Sequence, residues 1–249
     1  MHKFFVDSSN IIDNNVTIIG DDVKHIYKVL RLSVGDDVAI NDCSGNEFLG
    51  KLEDINKKEV KVKILEKLET SNESPVKISL YQGMPKGSKM DLIVQKGTEI
   101  GVSKFQPIIT KRVDVAFQEY KKLDRLKKII LEACKQSKRS IIPTISEPIN
   151  FEKTKEELKE YDLIVVPYER ADGYGIKSLS MNIKREDIKN IAIVIGPEGG
   201  FEEDEIEELK EIGAEIVTLG KRILRTETAG FVATSLLCYE LGDMGGSVR

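Results

Sequence analysis

The sequence predicts an α/β fold: a C-terminal domain with a mostly parallel sheet, preceded by a small β-rich domain. From residue 76 onward, strand-like runs alternate with helical patterns, the order that produces parallel sheets. Residues 1–72 instead show short runs of alternating polar and apolar residues and one helical pattern. The polar, aperiodic segment 70–75 separates the two patterns and ends in proline. We therefore expect domains at 1–72 and 76–249.

The N-terminal domain is expected to be a compact barrel. Polar and apolar residues alternate over 37–40 and 59–64, the spacing of half-buried strands. The Ser-Gly-Asn run at 44–46 supplies a hairpin turn. Apolar residues within 21–32 follow helical spacing, which predicts one short helix.

The C-terminal domain contains five predicted strands and five predicted helices. The fully apolar run 191–195 suits a strand that helices cover on both faces. Ligands of such domains bind in loops at the carboxyl ends of the strands. The expected strands are 77–82, 105–109, 162–166, 191–195 and 215–219, and the expected helices are 89–100, 121–138, 153–160, 202–212 and 228–241.

Composition excludes several classes of protein. Hydrophobic residues make up 40% and charged residues 32%, which argues against global disorder. No run approaches the roughly 18 apolar residues of a membrane span, and Asp7 stands where a secretory signal would be apolar. Three widely spaced cysteines and two histidines match no disulfide framework or zinc motif. We expect a cytoplasmic protein without a metal site or membrane association.

The net charge of −4 conceals an uneven distribution. Residues 77–140 hold 15 Lys and Arg against 6 Asp and Glu, a net charge of +9. Residues 141–249 hold 13 against 22, a net charge of −9. A basic segment inside an acidic chain is typical of a localised nucleic-acid contact. Solvated lysine-rich helix faces are the alternative.

Glycine and acidic residues follow the buried strand at 191–195. Glycines at 196, 199 and 200 allow the backbone to approach a ligand closely. No phosphate-binding glycine motif is present, and the carboxylates of 198 and 202–204 would occupy the helix end that phosphate needs. The loop therefore predicts a cationic ligand, or a neutral one with hydroxyl and amide groups, and a plain tight turn is the alternative.

Two more strand-end loops carry polar residues. The loop 219–229 places arginines and threonines before an apolar helix, and 166–170 follows the strand at 162–166. Thr226 or Thr228 could simply cap the helix, with Glu227 favourable to its dipole. Together the three loops predict a pocket for an adenosine-type ligand held by backbone groups.

These loops belong to a larger set of motifs. The set comprises IGPEGG (195–200), LGKRILRTETA (219–229), QKGTEIGV (95–102), EACKQSKR (132–139), HKFFV (2–6) and HIYKVLRLSVGD (25–36). With these motifs the chain resembles the small-subunit ribosomal RNA uridine-N3 methyltransferases over nearly its whole length. The chain departs from that family at Lys3, where arginine is more usual; the bidentate fork of arginine is lost there.

The resemblance implies a PUA-like barrel followed by a SPOUT domain with a deep trefoil knot. It also implies a homodimer, S-adenosylmethionine as cofactor and 16S ribosomal RNA, within the small ribosomal subunit, as substrate. A sulfonium cofactor without phosphate agrees with the acidic loop. The cofactor-binding residues it implies are Pro167, Tyr168, Glu169, Ile195, Gly196, Pro197, Glu198, Gly199, Gly200, Leu219, Gly220, Arg222, Ile223, Leu224, Arg225, Thr226, Thr228 and Ala229.

Methylation of uridine N3 requires loss of the imide proton, and negative charge develops on the flanking carbonyl oxygens. We expect Arg139 and Arg225 to stabilise that charge and Glu227 to act as a base or an orienting group. Arg225 could instead bridge Glu198 or Glu227 structurally. RNA contacts are expected from Lys3, Lys28, Arg31, Lys86, Lys89, Lys96, Lys111, Arg112, Lys135, Lys138 and Arg139.

Two other functions remain compatible with the sequence. One is a ribose 2′-O-methyltransferase on the same knotted scaffold. The other is a non-catalytic RNA-binding or ribosome-assembly factor, which would have no need of the glycine loop or the loop 219–229.

Overall fold

The computed structural model describes residues 1–69, 72–113 and 122–246. The chain divides into two compact units: an N-terminal unit of Met1–Glu73 with Cys134–Ile142, and a C-terminal unit of Ser74–Ala133 with Pro143–Arg249. The segment 134–142 thus counts with the first unit, although it falls within the predicted domain 76–249. Residues 70 and 71 of the predicted boundary lie outside the described residues. The predicted domain bounds stay a prediction.

The described part of the N-terminal unit is built on a mixed six-stranded sheet. Its strands are β1 (His2–Phe5), β2 (Ile11–Ile12), β3 (Asn15–Ile19), β4 (Asp37–Asn41), β5 (Glu47–Ile55) and β6 (Glu59–Leu68). Their order in the sheet is β1-β4-β5-β6-β3-β2; β1 pairs with β4 in parallel and the other neighbours are antiparallel. The predicted strands 37–40 and 59–64 are confirmed as β4 and the first part of β6.

Alternation along these strands builds the core of the N-terminal unit. Val16 and Ile18 of β3 and Val60 and Val62 of β6 are buried, while the residues between them are more exposed. The helix predicted at 21–32 begins as α1 (Asp21–Lys24) and continues as a π-helical turn over His25–Leu30. The turn ends at Arg31, whose φ of 54° lies in the left-handed region that commonly closes helices.

The described part of the C-terminal unit contains a seven-stranded sheet. Its strands are β7 (Lys77–Gly83), β8 (Val102–Ile109), β9 (Thr144–Ile145), β10 (Ile149–Asn150), β11 (Leu163–Pro167), β12 (Asn190–Ile195) and β13 (Glu215–Val217). Their order is β10-β8-β7-β12-β11-β13, and β9 pairs with β8. Every described strand pair is parallel, which confirms the predicted sheet type. The two-residue strands β9 and β10 are too short for a periodic pattern, so they were not predicted.

Within the described residues, six α-helices accompany this sheet. They are α2 (Lys89–Glu99), α3 (Leu123–Ser137), α4 (Phe151–Leu158), α5 (Ile176–Asn182), α6 (Glu203–Glu211) and α7 (Thr226–Leu241). Five correspond to predicted helices, although residue 121 of the predicted helix 121–138 lies outside the described residues. α5 was not predicted, because seven residues present too few apolar positions for a helical period. None of the described helices is long and apolar enough to cross a membrane.

β12 forms the centre of the C-terminal unit, between β7 and β11. Ala192 and Val194 share one core with Leu158 of α4 and with Ile206 and Leu209 of α6. α7 contacts β7 and β12 and packs beside α2 and α5. Helices therefore cover both sides of β12, as its unbroken apolar sequence predicted. Because the sheet is parallel, the loops after β7, β11, β12 and β13 all emerge at one edge.

Candidate functional site

A cavity of about 570 Å³ opens at the carboxyl edge of β11, β12 and β13. Its wall consists of 167–169, 195–201 and 218–226, together with Lys89 and Ala229. Every residue predicted to bind the cofactor lines this cavity except Thr228, which lies inside α7 and is half-buried. The structure thus brings the three predicted loops together in one site. Four lining residues were not among those predicted to bind the cofactor: Lys89, Phe201, Thr218 and Lys221.

The loop 196–200, which the sequence predicts to bind the cofactor and which is called the cofactor loop below, lies directly against the end of β7. A Cβ at Gly83 would be 2.4 Å from the Pro197 nitrogen, which is backbone and cannot turn aside. Only glycine permits this approach. Gly200 has a φ of +71°, the left-handed conformation that glycine adopts without strain. Gly83 follows a predicted strand directly, so the strand-end glycine was the available signal for this contact.

Thr226 joins the cofactor loop to α7 and β7. Its hydroxyl donates to the Gly196 carbonyl at 2.6 Å and accepts from the Gln82 side-chain amide at 2.7 Å. Thr226 is the first residue of α7, and Arg225 is the N-cap residue, so the hydroxyl serves these tertiary bonds and does not cap the helix. Thr226 and Gln82 are both buried, so these bonds are shielded from water.

Lys89 lies between two carboxylates, of which Glu198 lines the cavity and Glu227 does not. Its Nζ is 2.8 Å from Oε1 of Glu198 and 3.8 Å from Oε2 of Glu227. The Lys86 backbone N–H also donates to Glu198, at 3.0 Å. Partial burial raises the pKa of Glu198, but the hydrogen bonds from Lys89 and Lys86 outweigh this effect and hold that pKa below its usual value. Glu227 is buried, and its Oε2 accepts no hydrogen bond in the described structure.

The carboxylates at the start of α6 are offset by basic side chains from the loop after β8. The Arg112 guanidinium donates to Glu202 from Nε at 2.7 Å and from Nη2 at 2.9 Å. This pairing holds the pKa of Glu202 below its usual value. Lys111 pairs with Asp204. Part of the basic segment 77–140 therefore neutralises the acidic segment 141–249 and does not form an open positive patch.

The N-terminus of α6 is occupied by its own side chains, as predicted. Glu202 and Glu205 form a reciprocal capping box, in which Glu205 accepts the Glu202 N–H at 2.9 Å. Glu205 is fully buried and also accepts the Lys111 N–H at 2.8 Å. This helix end is therefore filled and offers a phosphate no ready site.

Arg225 contributes an exposed guanidinium to the cavity wall. The structural alternative required Arg225 to bridge Glu198 or Glu227, and Lys89 is the cation close to both of those carboxylates. For the part of the chain that is described, no ion pair of Arg225 is recorded. Arg222 and Ile223 beside it are also exposed, and Ile223 is 84% exposed.

Arg139 belongs to the N-terminal unit and does not line the cavity. It is 4% exposed, and its Nη2 donates to Glu73 at 2.6 Å. Glu73 also accepts the N–H groups of Ser140 and Ile141, at 2.8 and 3.0 Å. This carboxylate therefore ties the 139–141 backbone within its unit, and a catalytic role for Arg139 stays a prediction.

The other predicted RNA contacts in the N-terminal unit differ in exposure. Lys3 pairs with the buried Glu47 and donates to the Lys138 carbonyl at 3.1 Å. Lys28 and Arg31 are exposed, and Lys28 Nζ lies 5.8 Å from the centroid of the Tyr27 ring.

Within the described residues, no group of three or more His, Cys, Asp or Glu could hold a metal ion.

Comparison with known proteins agrees with this arrangement. Residues 72–238 match the model of an RNA methyltransferase domain, and residues 18–65 match that of an RNA methyltransferase PUA domain. The ribosomal RNA small subunit methyltransferase E of Bacillus subtilis is 34% identical, with 96% of this chain and 97% of that protein covered. The Aquifex aeolicus protein of the same name is also 34% identical, with 95% and 99% covered.

A solved structure extends the comparison to the fold. The crystal structure of a ribosomal RNA small subunit methyltransferase E from Neisseria gonorrhoeae bound to S-adenosyl methionine superposes with a TM-score of 0.81. That protein is 31% identical, and the match covers 98% of this chain and 99% of that chain. The chain therefore belongs to the ribosomal RNA small subunit methyltransferase E family.

Proposed function

We propose that this protein transfers a methyl group from S-adenosylmethionine to N3 of a uridine in 16S ribosomal RNA. The observation that carries the proposal is the cavity, in which nearly all residues of the family's motif loops converge. Family membership supports the methyltransferase activity. The choice of uridine N3 rests on the motif resemblance.

The residues of the cavity fit S-adenosylmethionine. Ile195, Leu219 and Leu224 supply apolar surface, and the glycines of the cofactor loop expose backbone groups for the polar edges of a ligand. Glu169 is exposed at the wall, and no ion pair is recorded for it within the described residues, which suits a cationic ligand. When bound, the cofactor supplies an electrophilic methyl group on a sulfonium.

The protein's part in the reaction is to orient the uracil ring of the target uridine and to favour loss of its N3 proton. The exposed guanidinium of Arg225 stabilises the negative charge that spreads onto the two flanking carbonyl oxygens. Glu227 accepts the N3 proton or orients the uracil ring, since its Oε2 is buried without a hydrogen bond in the described structure. Arg139 would take part only after leaving Glu73.

RNA binding falls to exposed basic residues of the N-terminal unit, in this proposal Lys28 and Arg31. The match to a PUA domain supports this assignment. Phosphate contacts of this kind make affinity fall steeply with salt. Lys89, Lys111 and Arg112, by contrast, are engaged with carboxylates of the protein itself.

We further propose a cytoplasmic homodimer with the knotted SPOUT arrangement that the resemblance implies. Support for the dimer comes from α7, where Leu236 and Tyr239 are exposed by 39% and 60%, and from Leu92 on the adjacent α2 at 41%. Exposed apolar side chains on two helices that pack together are suited to association with a second copy. Sedimentation velocity tests this directly: wild type sediments as a dimer, and Tyr239→Glu shifts it towards monomer.

Primer extension on ribosomal RNA tests the reaction. Methylation of N3 blocks Watson–Crick pairing, so we expect reverse transcriptase to stop one nucleotide before the target only after incubation with protein and S-adenosylmethionine. A ribose 2′-O-methyltransferase would leave no stop at normal nucleotide concentrations. An assembly factor would fail to bind S-adenosylmethionine in calorimetry. Free 16S RNA and assembled small subunits are compared as substrates.

A further inference from the structure

We propose that Arg112 is a positioning residue for the cofactor loop and not an RNA contact. This inference rests on the proposed function, because it assumes that the loop 196–200 holds S-adenosylmethionine. Arg112 follows β8, whereas the loop follows β12, so the two come together only in the fold.

The guanidinium of Arg112 joins the cofactor loop to the start of α6. Its Nη1 donates to the Gly199 carbonyl at 2.8 Å, while Nε and Nη2 hold both oxygens of Glu202. Glu202 is the N-cap residue of α6, so one planar group fixes both ends of the segment 199–202. Such fork geometry belongs to arginine, and a lysine cannot reproduce it.

The stem of Arg112 packs just as closely. A Cβ at Gly199 would lie 3.1 Å from the Arg112 Cβ, so the loop backbone rests directly on this side chain. The remaining ties of the loop are at other positions: Thr226 holds Gly196, and Lys86 and Lys89 hold Glu198. Among the described side chains, Arg112 is therefore the one that donates a hydrogen bond to the carbonyl of Gly199.

The neighbouring basic residues Lys111 and Arg170 do not contact both the cofactor loop and α6. The Lys111 side chain pairs with Asp204, and the Lys111 backbone N–H donates to Glu205. Neither contact involves the cofactor loop. Arg170 pairs with Glu203, also at the start of α6. The position of a cation beside α6 is therefore common to several residues, whereas the bond to the loop carbonyl distinguishes Arg112.

Loss of this restraint reduces the fraction of molecules whose cofactor loop is in the binding conformation. The apparent dissociation constant rises as that fraction falls, while the intrinsic affinity of the formed site stays the same. Because the bond is made by a charged donor, we expect the dissociation constant for S-adenosylmethionine to rise about tenfold. The turnover number at saturating cofactor should change by less than about threefold, since Arg112 does not line the cavity.

Calorimetric titration of the free protein with S-adenosylmethionine tests the proposal with two variants. Arg112→Ala and Arg112→Lys should both bind about ten times more weakly. Arg170→Ala is the matched control: it removes an ion pair of the same helix end and should bind within about twofold of wild type. Circular dichroism verifies that each variant is folded, and Arg112→Lys retains the test should the alanine variant unfold.

RNA binding is measured on the same proteins over a series of salt concentrations. The proposal expects Arg112→Ala to leave the salt dependence unchanged, whereas loss of a phosphate contact would lower the slope by about one. Wild-type cofactor affinity in Arg112→Lys, or a lowered salt slope with normal cofactor affinity in Arg112→Ala, overturns the inference while the proposed function stands. A wild-type protein that fails to bind S-adenosylmethionine overturns both.

Discussion

Replacing Thr226 by valine removes one hydroxyl at the junction of the cofactor loop, α7 and β7. Valine has nearly the same shape, so packing is retained while both hydrogen bonds are lost. These bonds run to the Gly196 carbonyl at 2.6 Å and from the Gln82 amide at 2.7 Å. We expect both the stability of the C-terminal unit and its affinity for S-adenosylmethionine to fall.

Loss of the Thr226 hydroxyl costs a different amount of free energy at each of its two hydrogen-bond partners. The half-buried Gly196 carbonyl is left without its donor, at a cost of about 1–2 kcal/mol. The Gln82 amide keeps its bond to the Gly83 carbonyl at 3.0 Å, so its loss is about 1 kcal/mol. The sum of about 2–3 kcal/mol corresponds to a decrease in Tm of roughly 4–12 °C for a chain of this length.

Urea unfolding and calorimetric titration measure the two effects of Thr226→Val. Thr228→Val is the matched control, because Thr228 lies one position beyond Glu227 in the same helix and no hydrogen bond of its hydroxyl is recorded in the described structure. The control should lie within about 0.5 kcal/mol of wild type. A Thr226→Val protein as stable as wild type, or a control that loses equally much, would refute the reasoning.

Three further changes probe the backbone at Gly83 and two carboxylates that accept backbone N–H groups, the buried Glu205 and the exposed Asp162. Gly83→Ala should move the cofactor loop away from β7, with a loss of about 1–3 kcal/mol and weaker cofactor binding, because a Cβ there would lie 2.4 Å from the Pro197 nitrogen. Glu205→Ala should cost about 2–4 kcal/mol, since two backbone N–H groups lose their acceptor. Asp162→Ala should be less stable than wild type at neutral pH, and the difference should shrink as the pH falls below about 4.

The sign of the last prediction follows from the hydrogen bonds to Asp162. The Asn190 and Lys189 N–H groups donate to its carboxylate and hold the pKa below its usual value. The stabilisation is present above the unfolded pKa and is lost as the pH falls through the folded pKa. Unfolding curves from pH 3 to pH 7 measure it, and a difference that is independent of pH would contradict this account.

Controls for the other two changes come from the same unit. Gly230→Ala places its Cβ 3.6 Å from Gln82 Oε1, an ordinary contact inside α7, and should stabilise the protein by about 0.5–1 kcal/mol. A stabilised Gly83→Ala would show that the loop can shift without strain. Glu203→Ala removes an exposed carboxylate that pairs with Arg170, and it should change stability by less than about 0.5 kcal/mol. A Glu205→Ala protein no less stable than this one would show that the buried bonds contribute little.

Local patterns predicted most of the fold. The strands around β12 and the longer helices have enough residues for a period of two or 3.6 to be visible. α5, β9 and β10 are too short to show one. The first residues of α7 were also missed: the helix begins at Thr226, two residues before the predicted start, because its first turn is polar and faces the site.

The cavity was predicted well, because its residues are contiguous in three loops and each loop follows a recognisable strand. The ion-pair partners of the charged residues were not predicted from the sequence. The local charge balance predicts Lys89, Lys111 and Arg112 as RNA contacts. The acidic residues with which they pair lie 90 to 109 residues away in the chain. A local sequence pattern does not indicate contacts between residues so far apart in the chain.

The sequence by itself therefore determined the class of fold, the loops that form the site and the family. These properties depend on local periodicity and on contiguous motifs, which a chain displays before it folds. Only the tertiary structure decided how the charge distribution is used. The parallel sheet brings the loop after β8 beside the start of α6, and there the basic residues meet the acidic ones. Opposite charges that are remote in sequence become neighbours, so the net charge of a segment does not reveal which of its residues remain available to a nucleic acid.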